Sequence, residues 1–131
     1  MRVRIYLVED SPIIRDNLAE SLEELSGARV VGWASAEEEA ITWMAKNSAS
    51  WDLGVVDLFL RPGSGLNVVK SLHNRGLKQK VIVLTNYATP AIRQRCLELG
   101  ADAVFDKATE IDEFTRFAIE EVERVSGATR W

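Results

Sequence analysis

Apolar and polar positions along the chain fall into ten runs of alternating period, and each run marks an element. Val3–Val8 is a short β-rich run that ends at Glu9-Asp10. Ser11 then offers an N-cap oxygen, and Pro12 takes the first helical position, where its missing N–H costs nothing. Ile14, Leu18, Leu22 and Leu25 form one helical stripe, which Gly27 stops. Val30–Ala34 reads as a second strand. Ser35-Ala36-Glu37-Glu38 matches a capping box, opening a helix that turns Ala40, Ile41, Met44 and Ala45 inward.

Leu53–Leu58 is apolar on both faces apart from Asp57, as suits a parallel strand covered on both sides. A loop with Pro62, Gly63 and Gly65 leads to a helix carrying Leu66, Val69 and Leu72. Val81–Leu84 is a fourth strand that ends at Thr85. Thr89-Pro90 repeats the cap-then-proline signal, Ile92, Cys96 and Leu99 line the fourth helix, and Gly100 ends it. Ala103–Phe105 is a fifth strand, ending at Asp106-Lys107. Thr109 is placed to cap a last helix with Ile111, Phe114, Ala118, Val122 and Val125 on its inner face. Five strands alternating strictly with five helices predict an α/β fold: a doubly wound parallel sheet with right-handed crossovers. The expected division is one domain over residues 1–126 and a short tail over 127–131.

Composition narrows the classes. The chain has 131 residues, 47% hydrophobic and 27% charged, which is ordinary for one globular domain. A net charge of −4 argues against direct nucleic-acid binding, which calls for a clustered basic face. The single cysteine, Cys96, cannot form an internal disulfide and is expected to pack as a small hydrophobe. The apolar run near the N-terminus is too short for a secretory leader, and no stretch approaches the ~20 apolar residues of a membrane span. A cytoplasmic protein without membrane attachment is expected. His73 and the tryptophans (Trp33, Trp43, Trp51) read as surface or packing residues, Trp131 as part of a frayed end, and Glu37–Glu39 as charges complementing a helix dipole.

In open α/β sheets the binding crevice lies beyond the carboxyl ends of the strands. Those ends carry Glu9-Asp10, Asp57, Thr85 and Lys107, so three carboxylates, a hydroxyl and an ammonium converge on one edge. Carboxylates about 5 Å apart cost on the order of 3 kcal/mol per pair at an effective dielectric near 20. Lys107 offsets one charge, and a hard, oxygen-bound divalent ion would offset the rest. Mg²⁺ fits, because it takes a few carboxylates and often shares its shell with phosphate. Asp57 beside such an ion can attack a phosphoryl group, with Lys107 and Thr85 neutralising and orienting its oxygens.

The ordered set Glu9-Asp10, Asp57, Thr85 and Lys107 resembles a bacterial response-regulator receiver domain over roughly residues 2–125. Gly65 and Gly100-Ala101-Asp102 support the likeness. The resemblance implies strand order 2-1-3-4-5, a flavodoxin-like (βα)5 fold. It also implies transfer of a phosphoryl group to Asp57 from a sensor histidine kinase or phosphotransfer protein. Asp10, Asp57 and the main-chain carbonyl of Phe59 would hold Mg²⁺, with Glu9 acting through water. Such a domain is a signalling phospho-acceptor rather than an enzyme. Its output surface, around the fourth helix, fifth strand and fifth helix, would meet a downstream protein or a second copy as a homodimer.

The chain departs from that family's pattern in four places. The usual aromatic switch position, three before the lysine, holds Val104, while Phe105 alternates to the opposite face. Tyr87 is the residue left to substitute. Asn86 follows the threonine where a small residue is usual. Ala108 follows the lysine where proline is usual, so the Lys107–Ala108 bond is either trans or strained. Arg61 precedes Pro62, which comes one place late. Phe59 and Tyr87 flank the acceptor with bulk, which implies slow loss of the phosphoryl group.

Two alternatives stay open: a phosphorylation-independent interaction module on the same fold, and a receiver fragment whose output domain has been removed. A nucleotide- or flavin-binding enzyme is disfavoured, because Glu9-Asp10-Ser11-Pro12 would repel phosphate where such folds place a phosphate loop. A dehalogenase-type phosphatase would need an acid at Phe59.

Overall fold

A computed structural model describes residues 2–126; the expected tail over 127–131, with Trp131, lies outside the described residues. The elements are β1 (Arg4–Val8), α1 (Pro12–Ser26), β2 (Arg29–Ala34), α2 (Glu37–Lys46), β3 (Leu53–Val56), α3 (Gly65–Ser71), β4 (Lys80–Thr85), α4 (Pro90–Glu98), β5 (Ala103–Asp106) and α5 (Ile111–Ser126). The five strands form one sheet in the order β2-β1-β3-β4-β5, and every pair is parallel. The alternation predicted from sequence and the strand order implied by the resemblance are both borne out.

Period-2 alternation splits the core into two layers. Ile5, Leu7, Val55, Ile82 and Leu84 face α1 and α5, where Leu22, Phe114, Ala118 and Val122 cover them. Tyr6, Val8, Val56, Val83 and Val104 face the other way, under Ala40, Met44, Val68, Val69 and Cys96 from α2, α3 and α4. Each such side chain contributes roughly 1.5–3 kcal/mol when fully buried. Cys96 is fully buried, as a small hydrophobe should be. Trp51 is buried, Trp43 stacks on Tyr6 with centroids 4.2 Å apart, and Trp33 lies under the Arg15 guanidinium at 4.6 Å. His73 is exposed, its Nδ1 2.9 Å from the Lys70 carbonyl.

Several local expectations need correction. Of the α1 stripe only Leu22 is buried; Leu18 is partly so, while Ile14 and Leu25 stay 37% and 60% exposed. The reason is a shallow groove of about 270 Å³ between α1 and α5, lined by these residues together with Ile111 and Phe114. Ile111 is accordingly 41% exposed rather than inward. The capping box is displaced by one residue. Ala36 holds the cap position without a side-chain bond, and the Glu39 carboxylate accepts the Ser35 N–H at 3.0 Å. Glu37 does not simply complement the helix dipole, because its Oε1 accepts from Ser64 N–H at 2.8 Å and Asn67 Nδ2 at 3.0 Å. Thr109 lies too early to cap α5. The turn before that helix is organised by the Asp106 carboxylate, which accepts the Ala108 and Thr109 N–H groups at 2.7 and 3.1 Å.

By contrast, Ser11 and Thr89 cap α1 and α4 as expected, accepting from Ile14 N–H and Ile92 N–H. Gly27 closes α1 at φ +76°, and its N–H returns to the Glu23 carbonyl. Between α4, β5 and α5, Arg93 spends its whole fork: Nε donates to the Ala88 carbonyl (2.9 Å), Nη1 to the Val104 carbonyl (3.2 Å) and Nη2 to Glu110 Oε1 (2.6 Å). That bond, with the Asp106 N–H on the same carboxylate, holds Glu110 below the usual carboxylate range.

Two outcomes follow from this packing. A Cβ on Gly65 would stand 2.0 Å from the Asp57 carbonyl oxygen, a backbone atom that cannot move aside. Gly65→Ala should therefore cost about 1–3 kcal/mol or more by urea unfolding, and a neutral result would show that the β3–α3 loop is not packed as described. Because Glu110 is held low, its contribution is present above the ordinary carboxylate pKa and is lost as pH falls through the depressed one. Glu110→Gln should lower the thermal midpoint at pH 7 and approach wild type near pH 3; a gap constant with pH would contradict the assignment.

Candidate functional site

The site is made by strand ends that the sheet order brings side by side. β1 and β3 are neighbours, so Glu9 and Asp57 leave the sheet together, and Asp57 N–H is still tied to the Val8 carbonyl at 2.9 Å. Lys107 follows β5, two strands away from β3, and its N–H is fixed on the Thr85 carbonyl at 2.9 Å. The lysine stem spans the end of β4 and places Nζ 2.5 Å from Glu9 Oε1 and 3.0 Å from Asp57 Oδ2. Glu9 is almost wholly buried, and its second oxygen accepts the Ser11 N–H at 3.1 Å. Asp10 is half-buried, with the exposed Arg61 guanidinium 3.9 Å from its Oδ2.

Carboxylate oxygens of Glu9, Asp10 and Asp57 all lie within 4.8 Å of one another. With Lys107 beside them the cluster carries a formal charge near −2. Burial pushes the Glu9 carboxyl up; the Lys107 and Ser11 hydrogen bonds pull against this, and the Asp57 charge adds to it. For Lys107, burial alone would lower the pKa, but the Glu9 hydrogen bond and the Asp57 charge overcome it and hold the ammonium above its ordinary value. Lys107 is thus a fixed cation at neutral pH. The donor set is all oxygen, and with Lys107 counted the cluster is doubly negative, which fits a hard divalent cation rather than a soft or nitrogen-seeking metal.

Over the cluster lies a cavity of about 190 Å³, walled by Glu9, Asp10, Asp57 and Lys107 and rimmed by Phe59, Asn86 and Tyr87. Phe59 and Tyr87 are each about half exposed, and their rings meet at 4.3 Å with a 50° tilt. A larger cleft of about 550 Å³ opens at the other end of the strands. Its charges are already engaged, Arg4 with Asp52 and Arg75 with Asp102, so the titratable cluster marks the smaller cavity as the chemical site.

Not every candidate residue converges there. Thr85 is fully buried, its Oγ1 accepts the Tyr87 N–H at 3.2 Å, and it does not line the cavity. Val104 is buried in the α4-side core, while Phe105 turns to α5 against Phe114 and Phe117, as strand alternation requires. The one cis bond among the described residues is Arg61–Pro62, so Lys107–Ala108 is trans. Sequence reasoning missed the Arg93–Glu110 tie, whose partners are separated by a strand and two turns. It also missed the grip of Glu37 on the β3–α3 loop. The one available signal was an acid next to a weak cap.

Residues 5–118 match the family model described as the response regulator receiver domain. The uncharacterized transcriptional regulatory protein YvfU of Bacillus subtilis is 32% identical over 85% of this chain and 54% of its own length. The response regulator UvrY of Escherichia coli is 26% identical over 80% of this chain and 47% of its own. The chain thus spans about half the length of these curated relatives. Among solved structures, the response regulator domain of Thermotoga maritima CheB superposes with a TM-score of 0.79 at 18% identity, covering 99% of this chain and all of that one. A Burkholderia pseudomallei response regulator, solved with a phosphorylated aspartic acid, calcium ion and citrate, gives 0.75 at 23% identity over 96% and 72% of the two chains. These structures share the fold, and the family match covers most of the sheet and its helices: the chain belongs to the response regulator receiver domains of two-component systems.

Proposed function

We propose that Asp57 accepts a phosphoryl group and that the resulting charge switches a protein-binding surface. The observation that carries this reading is the Lys107 ammonium seated between Glu9 and Asp57 at the floor of an open acidic cavity. Lys107 occupies Asp57 Oδ2, which leaves Oδ1 to attack phosphorus. The new O–P bond forms as the bond to the donor breaks, and the donor's imidazole or acetate departs with the electron pair. A phosphoryl group adds negative charge, and Lys107 is already in place to offset it without reorganisation. The phosphorylated aspartic acid of the Burkholderia neighbour supports the assignment.

Asp10, Asp57 and the main-chain carbonyl of Phe59 are the proposed holders of Mg²⁺, with Glu9 acting through water. When bound, the ion would neutralise charge on the phosphoryl oxygens. The Thr85 hydroxyl keeps its own proton while accepting the Tyr87 N–H, so it can still donate to a phosphoryl oxygen. To reach one, the loop over residues 86–88 must shift, and Tyr87 is the aromatic ring that would travel with it. Val104 supplies no ring for that purpose.

The proposed donor is a sensor histidine kinase or phosphotransfer protein. The proposed readers of the switched surface, around α4, β5 and α5, are a downstream protein or a second copy of the chain. The receiver unit is taken as residues 1–126, in the cytoplasm, whether alone or within a longer regulator. A phosphorylation-independent module is the second reading; what favours it is the burial of Thr85 away from the cavity.

Intact mass after incubation with Mg²⁺ and acetyl phosphate should show one phosphoryl adduct on the wild type and none on Asp57→Asn. An unmodified wild type, or an adduct that persists in Asp57→Asn, would reject the reading in favour of the second. The Phe59–Tyr87 pair shields the acyl phosphate from water. Removing either ring (Phe59→Ala or Tyr87→Ala) should speed dephosphorylation roughly tenfold, equivalent to about 1.4 kcal/mol of barrier. Unchanged decay in both variants would show that the rings do not gate water.

A further inference from the structure

The β3–α3 loop leaves the sheet at Asp57 and returns at Gly65, and Phe59 lies on its first limb. Inside, it is pinned by the Gly65 N–H on the Leu58 carbonyl (2.9 Å) and by a bridge between Phe59 and Ser64. Outside, it is gripped by the start of α2. Glu37 Oε1 is a single acceptor for two donors, the Ser64 N–H on the far limb (2.8 Å) and Asn67 Nδ2 in the first turn of α3 (3.0 Å). The Glu37 main-chain N–H donates to the Pro62 carbonyl at 3.1 Å. Contact at the loop tip is equally close, since a Cβ on Gly63 would stand 2.3 Å from Glu37 Cβ. Glu37 is not among the residues lining the acidic cavity. It therefore touches the loop and not the reacting groups.

We propose that Glu37 is a positioning residue for the acidic site, fixing the β3–α3 loop so that the Phe59 main-chain carbonyl meets the cation. The inference rests on the phospho-acceptor reading above. The physical ground is that the far limb is held from both sides. The Phe59–Ser64 bridge, closed by the Gly65 N–H on the Leu58 carbonyl, ties the main chain of the two limbs together, so the position of Ser64 bears on that of the Phe59 carbonyl. A carboxylate accepting two hydrogen bonds fixes both position and direction, whereas helix-dipole complementation would need neither Ser64 nor Asn67.

The test measures the Mg²⁺ dissociation constant by isothermal titration, and adduct formation with acetyl phosphate at low and saturating Mg²⁺. The proteins are wild type, Glu37→Ala, Glu37→Asp and Glu37→Gln. Glu37→Ala should weaken Mg²⁺ binding roughly tenfold, the size expected when a group supporting a ligand is removed. Its phosphorylation rate should recover at saturating Mg²⁺. Glu37→Asp, one methylene short, should move the same way and serves if the alanine variant does not fold. Glu37→Gln retains the acceptor oxygen and should stay near wild type. Wild-type Mg²⁺ affinity in the alanine or aspartate variant, with only the melting temperature lowered, would reduce Glu37 to a structural contact and overturn the inference alone. Absence of both Mg²⁺ binding and adduct in the wild type would overturn the underlying reading with it.

Discussion

A buried lysine ammonium between two carboxylates is the contact on which the rest of the site depends. Lys107 Nζ meets Glu9 and Asp57 across the carboxyl ends of three strands, and none of the three side chains is more than slightly exposed. Desolvating such a group is expensive, and the attraction repays it only when geometry and further hydrogen bonds are good. Here the sheet supplies the geometry. β1 and β3 are adjacent, so Glu9 and Asp57 need no loop excursion to meet, and the Lys107 backbone is tied to Thr85 on the intervening strand. One cation among three carboxylates leaves the cluster negative, and that residual charge makes an oxygen-seeking divalent ion chemically apt there.

Rigid placement of the strand ends comes from the two apolar layers. β3 is buried along its whole length, so Asp57 starts from a fixed point. The loops that follow are held by directed polar contacts: Glu37 reaching across to the β3–α3 loop, Asp106 locally within the turn before α5, and Arg93 between α4, β5 and α5. Apolar burial sets the frame, and directed hydrogen bonds set the rim. The division matters because hydrophobic contacts are non-directional, whereas a rim that must position single oxygens needs directed ones.

This same division explains how much could be read from the sequence. Strand and helix identities were legible because burial imposes periods of 2 and 3.6, and the caps at Ser11 and Thr89 were legible because each bonds within its own first turn. The meeting of Glu9, Asp10, Asp57 and Lys107 was legible because a parallel sheet sends all strand ends to one edge. Contacts made across the chain were not. Glu37 resembled a helix-end charge because its partners lie in another loop, and Ile14 and Leu25 resembled core because a stripe does not reveal how closely α5 approaches α1. Nor could the engagement of the Thr85 hydroxyl by the Tyr87 N–H be inferred, since it depends on the path of the loop that follows.

Val104 and Arg93 together show what holds the loop after Thr85. A valine at this position gives the β4–α4 loop no ring to lean on. Instead the Arg93 fork takes the Ala88 carbonyl on one side and the Val104 carbonyl and Glu110 on the other. Thr85 is joined to Tyr87 by a hydrogen bond, and Ala88 follows directly in the chain. The loop over residues 86–88 is therefore anchored at its far end by Arg93. The same side chain also holds β5 and the residue before α5. A guanidinium with three directed bonds fixes this linkage in direction as well as distance. Thr85 is thus joined to the α4–β5–α5 face through the Tyr87 N–H and the Arg93 bonds to two main-chain carbonyls and one carboxylate, with no aromatic side chain at position 104.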